Sequence, residues 1–243
     1  METSKAAVFI SIIIPVYNEE KRIEAFLADV VTYLAGQTYT YEIIIVNDGS
    51  IDLTVKLANK VLGQYIPDKF RILELATNQG KGAAVKNGML AAQGEYVFFI
   101  DADGSTAIEE LGNFIPLFRA EFDIYIAVRT KKHFAPFKRV FFGRGYIKLT
   151  RFFLGLTVSD FTCGFKCYRQ EAARKIFSQQ LLKNWSFDAE DLYIAQKEGC
   201  RIKEVPVYWK HIGGSKVKVL KNIIVCGWDL IRIRYYSLCE KYN

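Results

Sequence analysis

The sequence has few of the residues that build disulfide frameworks or zinc sites. It contains five cysteines, an odd number without paired Cys-x-x-Cys spacing, and only two histidines, His133 and His211, which are isolated from each other. This composition argues for a reducing compartment, against a zinc site and against histidine ligands or bases. A chain of 243 residues is long enough to fold on an apolar core without disulfides.

Long hydrophobic runs are also missing. No stretch reaches the roughly 18 to 20 apolar residues that a membrane-spanning helix needs. Residues 6–14 form a short apolar run that Ser11 interrupts, and no small-residue cleavage pattern follows it. The run therefore predicts a first core strand rather than a signal peptide. With a net charge of +7, the chain favours anionic partners such as nucleotides, phospholipid headgroups or nucleic acid.

Acidic residues are absent from residue 124 to residue 159, where basic residues alternate with phenylalanine and tyrosine. Such interleaving is typical of a surface that meets a membrane interface or a nucleic acid. An equally good interpretation is an amphipathic helix pair packed on the sheet, with a solvated basic face. A last segment, residues 216–243, predicts an amphipathic helix packed back on the domain, with a membrane-surface helix as the alternative.

The order of predicted elements indicates an α/β protein with a mostly parallel central sheet flanked by helices. In the first half, the predicted strands are Phe9–Pro15, Tyr41–Asn47, Arg71–Ala76 and Tyr96–Ile100, and the predicted helices are Glu19–Leu34, Asp52–Leu62 and Gly82–Ala92. In the second half, we predict strands at 164–168 and 202–207 and helices at 170–177 and 188–198. The first-half strands end in polar or glycine-rich residues, at the edge where open α/β sheets bind ligands.

The fourth predicted strand leads directly into Asp101 and Asp103, two carboxylates placed two residues apart. Side chains at i and i+2 of a strand share one face, so both can point at the same object. Two like charges at the end of a buried strand are costly unless a cation lies between them. Oxygen ligands of this kind suit Mg²⁺ or Mn²⁺, often together with a substrate pyrophosphate. The alternative is a simple Asp-Gly-Ser turn.

The other strand ends carry further candidate binding residues. The turn from Pro15 to Glu19 offers free backbone N–H groups and the Tyr17 ring to a base or ribose. Asp48 can accept a hydrogen bond from a base or ribose, or simply stabilise its own turn. In Gly80–Gly82 the glycines let the backbone approach a diphosphate and Lys81 supplies a positive charge, although a plain helix-start loop would look similar.

Taken together and in this order, the strand ends resemble those of the family 2 glycosyltransferases of GT-A fold, over nearly the whole chain. The resemblance implies an inverting transferase with a nucleotide-sugar donor and a divalent metal, Mg²⁺ or Mn²⁺, bound by Asp101 and Asp103. It also implies one catalytic domain, residues 1–215, with a nucleotide-sugar-binding half at about 1–123 and an acceptor half at 124–215. The residues predicted to contact the donor, the metal or a phosphate are Pro15, Tyr17, Glu19, Asp48, Lys81, Asp101, Ala102, Asp103, Arg129, Lys166 and Lys216.

Motifs in the second half narrow the class. Residues 160–166, 187–191, 205–209 and 213–216 resemble the polyprenyl-phosphate glycosyltransferases, which include the dolichyl-phosphate glucose and mannose synthases. The Asp-Ala-Asp-Gly-Ser sequence is closer to the glucose branch, so UDP-glucose is the favoured donor and GDP-mannose the alternative. The resemblance implies a polyprenyl or dolichyl phosphate acceptor. It also implies peripheral attachment to the cytoplasmic face of a membrane, through amphipathic segments or a membrane-protein partner.

The acceptor determines which residues catalysis needs. A lipid phosphate has a second pKa of about 6, so its oxygen is already mostly ionised at neutral pH. A saccharide hydroxyl would need a general base, for which Glu190 and Asp191 are candidates; alternatively, these acids stabilise the start of a helix. The predicted catalytic set is Asp101, Asp103, Asp188, Glu190 and Asp191, and the predicted phosphate-holding residues are Arg129, Arg144, Lys166 and Lys216.

The sequence leaves three other functions open. A saccharide hydroxyl acceptor keeps the same fold and donor. Sugar nucleotidyl transfer is disfavoured because its glycine-rich first turn is replaced here by Pro15–Glu20. A non-catalytic basic module for a membrane or nucleic acid would bind without metal and tolerate Asp101→Asn and Asp103→Asn. We expect an enzyme without a nucleic-acid partner.

Overall fold

The structure is a computed structural model that describes residues 7–118, 121–133, 137–210, 212 and 219–242. The strands are β1 (Ile10–Val16), β2 (Tyr41–Asn47), β3 (Phe70–Glu74), β4 (Tyr96–Ile100), β5 (Ile124–His133), β6 (Phe165–Arg169) and β7 (Ile202–Lys210). The helices are α1 (Ile23–Ala35), α2 (Thr54–Tyr65), α3 (Lys81–Ala91), α4 (Leu111–Phe114), α5 (Phe137–Leu154), α6 (Gln170–Gln179), α7 (Phe187–Lys197) and α8 (Val219–Leu238). Short 3₁₀ turns at Ile108–Glu110 and Ile115–Leu117 flank α4.

The strands form one sheet in the order β3-β2-β1-β4-β6-β5-β7. β6 runs antiparallel to its neighbours β4 and β5, and the other neighbouring strands are parallel. This confirms the predicted mostly parallel sheet. Because β6 is reversed, its first residue, Phe165, pairs with the last residue of β4, Ile100. The edge where β1, β2 and β4 end therefore also receives the start of β6.

Helices cover both faces of the sheet, which explains why its central strands have no polar face. On β1, Ile12 and Ile14 pack in the cluster that contains α1, whereas Ile13 packs in the cluster that contains α3. All three side chains are completely buried. Full burial of one such side chain contributes about 1.5–3 kcal/mol. The strands that lead to the polar edge are therefore anchored from both sides.

The acid-free segment is not a pair of helices. Residues 124–133 form β5, and in the described part of the segment a single helix, Phe137–Leu154, follows it. Ile124 and Ile126 are completely buried because β5 lies between β6 and β7. A short apolar run buried on both faces has no periodicity that separates a strand from a helix. The helix-pair interpretation is therefore wrong for the first part of this segment.

The strand ends differ from the predicted ones in detail. β4 stops at Ile100, so Asp101 and Asp103 lie in the turn after the strand, and the expectation that they share a strand face is wrong. β3 begins and ends earlier than predicted, and β7 extends to Lys210. The helix predicted for the C-terminal segment is present as α8. Within the residues that the structure describes, no helix has both the length and the apolar character to cross a bilayer.

Candidate active site

The turn that carries Asp101 and Asp103 is held in place by the start of β6. The Asp101 backbone N–H donates to the Gly164 carbonyl at 2.9 Å. A Cβ on Gly164 would lie 2.0 Å from Asp101 Oδ2, so a residue with a side chain there would displace the carboxylate. Asp103 Oδ1 accepts the Ser105 N–H at 2.8 Å. The turn thus presents two carboxylates from a fixed backbone.

Lys81 is the cation that faces this turn. It is the first residue of α3, and its Nζ lies 2.6 Å from Asp101 Oδ1. The same Nζ lies 5.2 Å from the centroid of the Trp185 ring and 5.8 Å from that of Phe187. Burial lowers the pKa of Lys81, but Asp101 and Asp188 outweigh this effect and raise the net pKa above its usual value. Lys81 is therefore charged at neutral pH, in a space lined by rings and carboxylates.

The charge of Asp103 acts on the Asp101 carboxylate. Burial raises the pKa of Asp101, the Lys81 ammonium opposes this rise, and Asp103 adds to it. Among the described residues, no group of three or more His, Cys, Asp or Glu side chains is placed to hold a metal ion. Mg²⁺ usually binds one or two carboxylates and keeps water or substrate phosphate as its other ligands. The carboxylate pair fits such an ion, which would also relieve the repulsion between the two charges.

Asp48, which follows β2, fixes the loop in front of α3. Its carboxylate accepts the Gln79 N–H at 2.7 Å and the Gly80 N–H at 2.9 Å. Gly80 adopts a φ of 105°, and a Cβ at this position would lie 2.4 Å from the Lys183 carbonyl oxygen. The sequence predicts a contact from Asp48 to a base or ribose. In the structure its carboxylate holds the backbone that leads into Lys81.

The turn after β1 has fewer free donors than the sequence suggests. The Asn18 N–H donates to Ser50 Oγ at 2.9 Å, and the Glu19 N–H donates to Thr54 Oγ1 at 2.7 Å. The expectation of free backbone N–H groups is wrong at these two positions, because side chains that follow β2 satisfy them. The Tyr17 ring is 37% exposed in the same turn, so an aromatic surface is still available there.

Arg22 adds a positive charge that the sequence analysis missed. Its Nη2 lies 2.9 Å from Glu19 Oε1. The hydrogen bond to Glu19 is the main reason that the pKa of Arg22 is raised, and the charges of Asp103 and Asp101 also contribute. No motif distinguishes Arg22, because residues 22 and 101 come together only through the fold.

The acids of α7 have different surroundings. Asp188 pairs with Lys166, a completely buried lysine on β6, and its charge also acts on Lys81. Asp191 lies 3.9 Å from Lys166 Nζ and accepts the Tyr168 hydroxyl at 2.5 Å. Burial raises the pKa of Asp191 to about 7. Lys166 is thus placed in the interior between two aspartates, whereas the sequence predicts that it contacts a phosphate.

Glu190 is completely buried and connects three segments. Its carboxylate accepts the Leu181 N–H at 3.1 Å, the Leu182 N–H at 2.8 Å and the Tyr242 hydroxyl at 2.7 Å. Burial raises the pKa of Glu190, and these hydrogen bonds oppose the rise. This arrangement is that of a structural tie between α7, the preceding loop and the C-terminal residues.

Arg129 forms a second cationic position near the same edge. Its guanidinium donates to both oxygens of Asp160, at 2.6 Å and 2.7 Å, and to Thr162 Oγ1 at 2.5 Å. The guanidinium carbon lies 5.4 Å from the Trp209 ring centroid. Burial lowers the pKa of Arg129, but Asp160 and, more weakly, Asp188 outweigh this effect. The guanidinium is therefore held in a fixed plane within the field of Asp188.

The structure brings part of the predicted set together. Asp101, Asp103, Lys81 and Asp188 share one space at the sheet edge, and Arg129 lies near it. Pro15 lies in β1 and Ala102 is buried, and both have apolar side chains, so neither adds a polar side chain to the site. Lys216 and the side chain of Arg144 lie outside the described part of the chain. Trp185 and Gly164 join the site without having been predicted for it.

The order of the strands, the reversed β6 and the helices on both faces of the sheet are those of the GT-A fold, the fold of the nucleotide-sugar glycosyltransferases. Solved structures of glucosyl-3-phosphoglycerate synthase from Mycobacterium tuberculosis have this fold. One superimposes with a TM-score of 0.68 at 20% identity, covering 97% of this chain and 81% of that one. A mycobacterial protein aligns similarly, with a TM-score of 0.70 at 18% identity, over 97% of this chain and 76% of its own.

Sequence comparison identifies the family. The model of Glycosyl transferase family 2 matches residues 11–177, and the chain belongs to this family. Relatives named dolichyl-phosphate beta-glucosyltransferase match nearly the whole chain. The Mus musculus protein is 36% identical, over 94% of this chain and 76% of its own length. The Dictyostelium discoideum protein is 33% identical, over 95% and 75% respectively, and the Homo sapiens protein is 35% identical, over 94% and 76%.

Proposed function

We propose that this protein transfers glucose from UDP-glucose to dolichyl phosphate or a similar polyprenyl phosphate. The observation that carries the proposal is the match of at least 92% of the chain to dolichyl-phosphate beta-glucosyltransferases. The clustered carboxylates and lysine at the sheet edge supply the matching chemistry. Glucose transfer from UDP-glucose is also favoured because a structural neighbour has been crystallised with Mn²⁺ and UDP-glucose.

The donor diphosphate is proposed to lie at Lys81 and the Asp101–Asp103 turn. Lys81 is a partly buried positive charge at the start of α3, where backbone N–H groups and the helix dipole also favour phosphate. Asp101 and Asp103 would hold Mg²⁺ or Mn²⁺, which neutralises the charge that develops on the departing nucleoside diphosphate. Residues 1–123 then form the donor half of the domain and residues 124–215 the acceptor half.

The acceptor is proposed to attack as a phosphate oxygen. A new bond forms between this oxygen and the anomeric carbon, the bond from that carbon to the UDP oxygen breaks, and UDP leaves with inversion. A lipid phosphate with a second pKa of about 6 needs no strong base. This agrees with the complete burial of Glu190 and Asp191, which have internal hydrogen-bond donors. Arg129 is the cation proposed to face the acceptor phosphate.

Membrane attachment is proposed to use α8 and α5. Four residues on one side of α8, spaced three or four apart, are half or more exposed: Trp228, Ile231, Tyr235 and Leu238, here called the α8 stripe. Phe152, on α5, is 84% exposed beside the basic Arg151. Aromatic and aliphatic side chains next to basic residues suit the interface of an anionic membrane. This geometry supports a peripheral protein on the membrane face where dolichyl phosphate lies.

An assay with purified protein tests the function. The protein is incubated with Mn²⁺, a short-chain polyprenyl phosphate and UDP-glucose that carries a label on the glucose. We expect a labelled lipid to form, a chelator to abolish its formation, and added Mn²⁺ to restore it. Asp103→Asn is expected to lower the rate about 100-fold, whereas Asp68→Asn, the same change at an exposed position, leaves it unchanged. If product forms only with GDP-mannose, the donor assignment is wrong. If product forms only with a saccharide acceptor, the acceptor assignment is wrong. No product with any nucleotide sugar would overturn the proposal.

A further inference from the structure

The loop of residues 181–186 packs directly against the start of α3. The Ala83 N–H donates to the Lys183 carbonyl at 3.2 Å. A Cβ on Gly82 would lie 2.8 Å from the Leu182 carbonyl oxygen, so the loop and the helix are in close contact. In the same loop, Trp185 lies with its ring 5.2 Å from Lys81 Nζ. The position of this loop therefore determines one side of the surroundings of the Lys81 ammonium group, and Asp101 lies on another.

Asp229 of α8 holds this loop from the other side. It is 1% exposed, and its Oδ2 accepts the Asn184 side-chain N–H at 2.7 Å and the Ser186 hydroxyl at 2.8 Å. These two donors come immediately before and after Trp185. The Asn184 side-chain oxygen in turn accepts the Ser186 N–H at 2.9 Å. Trp185 is therefore fixed between two residues that share one carboxylate oxygen.

A buried carboxylate is costly unless hydrogen bonds compensate for its lost hydration. For Asp229, the loop supplies two of these bonds. On the side that faces solvent, Arg232 Nη1 donates a third to Asp229 Oδ1 at 3.2 Å. The loop cannot move away from α8 without leaving Oδ2 unsatisfied, so the two elements are coupled. Trp185 itself is 44% exposed, so packing does not enclose its ring on all sides.

We propose that Asp229 is a positioning residue of the donor site, which acts through Trp185 on Lys81. The proposal rests on the proposed function, in which Lys81 meets the donor diphosphate. In this arrangement, Asp229 keeps the Trp185 ring against the lysine, and the ring restricts the ammonium group to the place where the diphosphate binds. Asp229 touches neither the donor nor the reacting atoms.

A double-mutant cycle on the full chain tests this role, with UDP binding in the presence of Mn²⁺ measured by calorimetry. Asp229→Ala and Trp185→Leu are each expected to raise the Kd for UDP about tenfold. In the Asp229→Ala, Trp185→Leu double variant, the Kd is expected to match that of Trp185→Leu alone, because both changes remove the same contact. Arg232→Gln, which changes the solvent-side partner of Asp229, is the control and is expected to keep the Kd within about twofold.

Thermal unfolding of each variant is measured alongside, because Asp229→Ala also removes fold-stabilising hydrogen bonds. Should that variant fail to fold, Ser186→Ala removes one of the loop bonds and is expected to raise the Kd about threefold, with no further effect in the Trp185→Leu background. Independent, additive effects of the two changes on Kd would overturn the positioning role while leaving the proposed function intact. Absence of UDP binding by the unaltered protein would overturn both.

Discussion

Gly164 shows how strongly the site depends on a residue without a side chain. Gly164→Ala is expected to lower activity about 100-fold, because the new Cβ would lie 2.0 Å from Asp101 Oδ2 and displace a carboxylate of the reaction site. Steady-state rates with saturating donor measure the effect. Gly63→Ala is the matched control, since a Cβ there meets nothing within 4 Å. Equal activity of both variants would show that Asp101 does not need its present position.

Asp191 is expected to make stability depend on pH. Burial raises its pKa from 3.8 to about 7, so between these values the folded protein keeps a proton that the unfolded chain has lost. Stability from this group is therefore present at low pH and is lost as the pH rises through the folded pKa.

Asp191→Asn removes this titration. We subtract the free energy of unfolding of the unaltered protein from that of the variant at each pH. This difference is expected to increase by on the order of 1–3 kcal/mol between pH 4.5 and pH 7.5, because only the unaltered protein loses stability over this range. Urea denaturation at several pH values measures the difference, and Asp68→Asn serves as the exposed control. A difference that stays constant with pH would contradict the raised pKa.

At the scale of elements, Glu190 ties α7 to the loop before it and to the C-terminal residues. Glu190→Gln is expected to lower the free energy of unfolding by about 1–3 kcal/mol, because an amide NH₂ would face backbone N–H donors. The kcat of the folded protein is expected to stay near that of the unaltered protein. Melting temperature and rate are compared with those of Glu171→Gln, an exposed acid on α6. A large fall in kcat at an unchanged melting temperature would instead indicate that Glu190 acts as a general base.

The elements nearest the donor side were the most predictable from sequence. β1, β2 and β4 are β-branched or aromatic runs that end in polar residues, and parallel strands place such ends at one edge. β5 was harder to assign, because an apolar run next to alternating basic and aromatic residues fits a strand or a helix. The prediction for the turn after β1 was wrong, because the side chains that satisfy its N–H groups lie 32 and 35 residues further along the chain.

Contacts between distant segments were beyond the reach of pattern analysis. Lys81 meets Trp185, and Asn184 meets Asp229, only because α3, the 181–186 loop and α8 stack together. Sequence motifs give the residue types at strand ends, but no local signal indicates which loop will close over them. The interior partners of Lys166 were equally hidden, because a lysine on a strand is normally exposed.

For the whole molecule, the α8 stripe is expected to decide membrane binding. Trp228→Ser with Leu238→Ser is expected to weaken binding to vesicles with anionic lipid about tenfold, because two exposed side chains, 65% and 83% accessible, no longer enter the interface. Co-sedimentation with vesicles measures this, and Tyr65→Ser, an exposed aromatic residue on α2, is the control. Unchanged binding would assign attachment to another surface.

The reversed strand β6 has a consequence for the order in which parts of the protein fold during synthesis. β1 to β4 are adjacent strands of the sheet in the order β3-β2-β1-β4, and all four lie within the first 100 residues, so they can pair before the rest of the chain leaves the ribosome. The carbonyl that fixes Asp101 belongs to Gly164, and the ring that meets Lys81 belongs to Trp185. A nascent chain therefore forms the β3-β2-β1-β4 part of its sheet well before its site. During synthesis, the donor half is expected to be folded but unable to bind UDP tightly until residue 185 has emerged.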